Sequence, residues 1–291
     1  MKRILCPIDY SKSAISTLKY AYEISKEINA NLLVVHLFDY PATFKRNVEK
    51  RFAHLEDDIL IEEKLKLKEF CIHHLGDDLD EMNVNMEVFE ESSIVHGIIS
   101  KADEVHAFMI VAGMRVNSIL KDLVMGNTTK QLIEKANCLV MAVPENSTHT
   151  QPKTIVYAID FEENEGIEVL QDVVKIAEPF NAKLKVVHIS TKKEYSGENK
   201  MEWFKKALLK KIDYEKIEFK VLFSNTVFDS LINYLEQVDA DLLVILEREK
   251  HGLLKKWFHK DLIGKHHYSD KIPLLSFNKS NFGMLHFLKL E

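Results

Sequence analysis

The segment running from Gly113-Met114-Arg115-Val116-Asn117 to Met125-Gly126-Asn127-Thr128-Thr129 holds the residue types best suited to chemistry. Glycine permits backbone shapes and close approaches that a side chain would block, and free amides at a helix N-terminus bind anions. Gly126 followed by Asn127, Thr128 and Thr129 supplies that arrangement, and Arg115 adds a positive charge. Asparagine and threonine also cap helices for purely structural reasons. On these residues alone, capping is the preferred reading.

Other constellations carry less. His251, His259, His266 and His267 are of a type that binds zinc, but their spacing fixes no tetrahedral site, so they read as surface histidines. His36 and His188 end matching apolar runs, which suits a shared strand-end hydrogen bond better than a ligand contact. The lysines around Trp257 and Phe258 read as a solvated helix with an aromatic anchor. Asp77, Asp78, Asp80 and Glu81 lack the oxygen-ligand spacing of a calcium loop. There is no lysine-bearing phosphate loop and no dinucleotide fingerprint, and no nucleophile, base and orienting group can be assigned together. A dedicated catalytic function is unsupported.

The elements that must position these residues follow from an internal repeat. Arg3-Ile4-Leu5-Cys6-Pro7-Ile8-Asp9-Tyr10 parallels Thr154-Ile155-Val156-Tyr157-Ala158-Ile159-Asp160-Phe161. Asn29 to His36 parallels Asn181 to His188, Ala107 to Ala112 parallels Asp241 to Leu246, and Cys138 to Met141 parallels Pro273 to Ser276. A polar stretch from Glu145 to Pro152 separates the halves, giving domains over 1–145 and 152–291. Short β-branched runs alternate with helical patterns, the form of a mostly parallel sheet with helices on its faces. Ser11 is the expected N-cap of the first helix, a long charged helix is expected over 48–75, and Pro179 ends a helix in the second half. In such sheets ligands bind outside the carboxyl ends of strands where strand order reverses. That crevice would be faced by the loop after Ile8, the strand end near Leu37 and a loop over 113–128.

Composition narrows the classes. The chain has 291 residues, 46% of them apolar, a net charge of −6 and three separated cysteines. This fits a cytoplasmic two-domain protein and argues against a general binder of nucleic acid or anionic membrane. The N-terminal apolar run is too short for an export signal.

The chain resembles the universal stress protein family. Its nucleotide-binding members carry a glycine, a second glycine three positions on, and a third ten positions later followed by serine or threonine. Gly113, Val116 and Gly126 stand at those positions, with Asn127 next and Thr128 beyond it. The aspartate of Pro7-Ile8-Asp9-Tyr10-Ser11 also matches, at the place where family members set the nucleoside. The resemblance implies a pocket of Ile8, Asp9, Leu37, Ala112, Gly113, Arg115, Val116, Gly126, Asn127, Thr128 and Thr129. Val116 departs most, because its branched side chain occupies space where the family supplies hydrogen. Asn127 departs less, since its amide still donates to phosphate.

The corresponding stretch of the second half, Glu247 to Asp261, lacks the glycine spacing, and its carboxylates would repel phosphate. The resemblance therefore implies two tandem, doubly wound, mostly parallel five-stranded sheets with helices on both faces, packed as a pseudo-dimer. ATP or another adenine nucleotide, with magnesium as its companion ion, is expected in the first domain alone. The implied role is a cytoplasmic, stress-associated regulatory protein with slow or absent hydrolysis, further protein partners and scope for homo-oligomers. A nucleotide-free interaction scaffold is the alternative, and an adenylating or hydrolysing enzyme the weakest reading.

Overall fold

The computed structural model describes residues 2–40, 53–76, 79, 83–117, 122–124, 126–147, 151–159, 166–190, 197–208, 213–247 and 271–278. The chain divides into two compact units, Met1–Arg115 with Met125–Asn146, and Val116–Val124 with Ser147–Glu291.

In the first unit, strands β1 (Arg3–Pro7), β2 (Asn31–Phe38), β3 (Val84–Glu90) and β4 (Met109–Asn117) alternate with helices α1 (Lys12–Glu27), α2 (Ala53–Leu75) and α3 (Ile94–Glu104). The segment Val116–Val124, with the short β5 (Asp122–Val124), belongs to the second unit, and the first resumes with α4 (Asn127–Lys135) and β6 (Leu139–Pro144). The strands lie in the order β3-β2-β1-β4-β6, and every pairing along it is parallel. The second unit repeats the plan with β7 (Thr154–Ala158), α5 (Gly166–Ala177), β8 (Lys183–Ser190), α6 (Gly197–Leu208), β9 (Ile217–Phe223), α7 (Val227–Gln237), β10 (Leu242–Glu247) and β11 (Leu274–Asn278). Its order is β9-β8-β7-β10-β11, again all parallel.

Local chemistry sets the element boundaries. The Ser11 hydroxyl accepts the Ala14 N–H at 3.4 Å and starts α1. Asn29 and Asn181, the same residue in both copies, take left-handed φ values of 51° and 52° where the chain leaves a helix for β2 or β8. Asparagine tolerates that conformation better than other side chains. Pro179 sits in the 3-10 turn Glu178–Phe180 that follows α5. The buried face of α5, with Val169, Leu170, Val173 and Ala177, packs over β7 and β8.

His36 donates from Nδ1 to the Ile8 carbonyl at 2.8 Å, and His188 makes the equivalent bond to Ile159 at 3.0 Å. A carbonyl only accepts, so each ring carries its proton on Nδ1. The repeated histidines thus hold matching strand ends. The third repeat is shifted by one residue from the sequence match. Phe108 donates its N–H to the Arg3 carbonyl and Asp241 donates to that of Thr154, which aligns Met109 with Leu242 and Gly113 with Leu246.

No helix among the described residues is long and apolar enough to cross a membrane. Cys6, Cys71 and Cys138 are free and buried. Burial pushes the Cys71 and Cys138 thiols up to about 12, which makes them packing residues and poor nucleophiles.

Candidate functional site at the β1–β4 switch point

The chain leaves β1 toward β2 on one side and later returns to pair β4 on the other. Strand order therefore reverses between β1 and β4, and the crevice lies beyond their carboxyl ends. Asp9 is exposed just past β1. Its Oδ1 accepts the Ser11 N–H at 3.0 Å and the Ser11 hydroxyl at 2.5 Å, and Ser11 Oγ lies 2.9 Å from Ser13 Oγ. These bonds fix the first turn of α1 beside the strand end.

Gly113 brings the parts together. A β-carbon on it would lie 2.9 Å from Thr17 Oγ1 and 3.2 Å from Ser13 Cβ and Oγ, so α1 rests directly on this stretch of β4. The Gly113 carbonyl accepts the Thr129 hydroxyl at 2.8 Å, which ties the first turn of α4 to the same place. The N-termini of α1 and α4 thus converge on Gly113. Each carries about half a positive charge from its aligned peptide dipoles.

Gly126, the N-cap of α4, differs from Gly113. Its backbone angles, φ −58° and ψ 151°, suit any residue, and among the described residues a β-carbon there would meet nothing within 4 Å. No side chain among the described residues caps α4, and Asn127 and Thr128 are exposed. Nothing among the described residues requires glycine at 126.

The remaining sequence-derived residues occupy distinct roles. Ile8 donates its N–H to Val35 at 2.8 Å and accepts from His36, and its side chain is buried. Leu37 is buried against α3, since a β-carbon on Gly97 would fall 2.5 Å from its Cδ2. Ala112 is buried and pairs with Ala142. Thr129 is buried, with its hydroxyl proton on Gly113. Arg115 and Val116 continue β4, where the sequence suggested a loop, because the strand runs on to Asn117. Their side chains, and residues 118–121 and 125, lie outside the described residues, as do 248–270 with His251, His259, His266 and His267. The acidic run Asp77, Asp78, Asp80 and Glu81 is outside them too. Among the described residues no cluster of three or more metal-binding side chains occurs.

Sequence reasoning missed a cluster beside the crevice. Tyr10 holds a left-handed φ of 58°, and its ring lies 4.5 Å from His36 and 5.3 Å from Phe70. Lys66 Nζ sits 4.5 Å over that ring, and Glu63 lies 3.5 Å from His36 Nε2 and 3.4 Å from Lys66 Nζ. Burial, then the Glu63 carboxylate, raises the Tyr10 phenol well above its ordinary value and keeps it neutral. Its buried hydroxyl finds no partner among the described residues.

Residues 1–144 match the universal stress protein family. Through that half, the chain belongs to the universal stress protein family. A universal stress protein from Archaeoglobus fulgidus DSM 4304 superposes with a TM-score of 0.66 at 13% identity, covering 95% of this chain and 98% of that one. A functionally unknown protein from Pseudomonas aeruginosa PAO1 gives 0.57 at 17% identity, covering 99% and 96%. The cytoplasmic domain of a prokaryotic cation chloride cotransporter gives 0.52 at 11% identity, covering 97% and 99%. At these identities the likeness is one of fold. No curated protein matches the chain.

Proposed function

We propose that this universal stress protein is a stress-response regulator that binds ATP or another adenine nucleotide at the β1–β4 switch point of its first unit. The observation that carries the reading is Gly126, a glycine that neither its backbone angles nor packing against the described residues requires, at the start of a helix tied to Gly113. Uncapped amides and an absent side chain are what a phosphate group needs for close approach. Asn127 and Thr128 stand ready as phosphate donors, and Arg115 as a further charge. Asp9, Ile8, Leu37 and Ala112 bound the nucleoside end, where the buried side chains of Ile8 and Leu37 leave backbone as what they present, and the Ile8 N–H and carbonyl are already committed to Val35 and His36. Val116 departs from the glycine that the family's pattern has at this spacing, and Thr129 positions the helix. Magnesium would accompany the phosphates.

The second unit supplies the contrast, because buried Leu246 stands at the place of Gly113. One nucleotide per chain is the expected stoichiometry. Mass spectrometry of nucleotide released from freshly purified protein tests the reading. Retained ATP, ADP or AMP supports it. An empty preparation that also shows no titratable affinity favours the interaction scaffold.

A further inference from the structure

The two units differ at a backbone position that decides how the switch-point strands meet. β1 pairs β2 through Pro7↔Val35, yet its pairing with β4 covers only Ile4↔Met109 and Leu5↔Ile110. The corresponding β7–β10 pairing runs from Ile155↔Leu242 to Ala158↔Ile245, two residues farther toward the carboxyl ends. Ile8 donates its N–H to Val35 at 2.8 Å and Ile159 donates to Val187 at 2.9 Å, each toward the outer neighbour, β2 or β8. Successive residues of a strand turn their backbone groups to opposite sides, so Pro7 faces β4 and Ala158 faces β10. Ala158 has an N–H to give; proline has none. Burial follows the same contrast, with Ala158 buried and Pro7 partly exposed.

We propose that Pro7 is a positioning residue that keeps the carboxyl ends of β1 and β4 untied and so admits the nucleotide between them. This rests on the nucleotide reading of the same crevice. An N–H at residue 7 would extend the ladder toward Ala112, as the pairing extends to Ala158↔Ile245 in the second unit, and would draw the Ile8–Asp9 corner toward Gly113. Withholding one donor therefore shapes the site without touching the ligand.

The test uses Pro7→Ala and Pro7→Val in the full chain, each read by ATP titration and by hydrogen–deuterium exchange over residues 5–9 and 109–113. Slower exchange in both segments is expected, with ATP affinity lowered about tenfold, a change of the size one backbone hydrogen bond can produce. Parent-like exchange and parent-like affinity in both variants would overturn the proposal. Should the parent bind no ATP, the nucleotide reading falls by itself. Slowed exchange in the variants would then still support an untied ladder, and unchanged exchange would refute it.

Discussion

Replacing Gly126 by aspartate separates what the fold needs from what a ligand needs. The backbone at 126 accepts any side chain, and a β-carbon meets no atom of the described residues within 4 Å, so no steric cost is expected. An aspartate would cap α4, place a negative charge at its positive end and reduce the freedom of the unfolded chain. Together these should raise stability by about 1 kcal/mol. For the nucleotide the sign reverses. A carboxylate about 5 Å from a phosphate charge, at an effective dielectric near 20, repels it by roughly 3 kcal/mol, or more than a hundredfold in affinity. Urea unfolding and ATP calorimetry on parent and Gly126→Asp read the two effects separately. A destabilised variant would refute the open-space reading of Gly126. A stabilised variant that binds ATP like the parent would refute its role at a phosphate.

Two further outcomes follow from contacts at the same end of the sheet. Gly113→Ala should destabilise by about 1–3 kcal/mol in urea unfolding, because its methyl would press on Thr17 and Ser13 of α1; parent-like stability would mean that α1 does not rest there. Tyr10→Phe should raise stability by about 1 kcal/mol by removing a buried hydroxyl that has no partner among the described residues, and a loss of stability on the same denaturant curve would show that the hydroxyl is satisfied.

Much of this architecture was legible because local chemistry repeats with the fold. Ser11, the Asn29 and Asn181 pair, Pro179, and the His36 and His188 pair each mark a boundary through a bond or backbone angle that the residue type favours. The one-residue error in matching 107–112 to 241–246 has a physical cause. Strands buried on both faces are apolar throughout, so no alternation distinguishes one register from the next. The roles of Gly113 and Thr129 were hidden for another reason. Their partners, Ser13 and Thr17 on α1 and the hydroxyl bond across sixteen residues of chain, are brought close only by tertiary packing. The unlike residues Pro7 and Ala158 stood in plain view in the repeat. Their meaning required knowing which neighbour each backbone group faces.

The central claim, a single adenine-nucleotide site at the first unit's switch point, is tested most directly by calorimetric titration of the full chain with ATP and magnesium, with Asp9→Ala titrated alongside. The account predicts saturation at one ATP per chain and a marked loss of affinity in Asp9→Ala. Saturation at two per chain, or an affinity unchanged by Asp9→Ala, would contradict it.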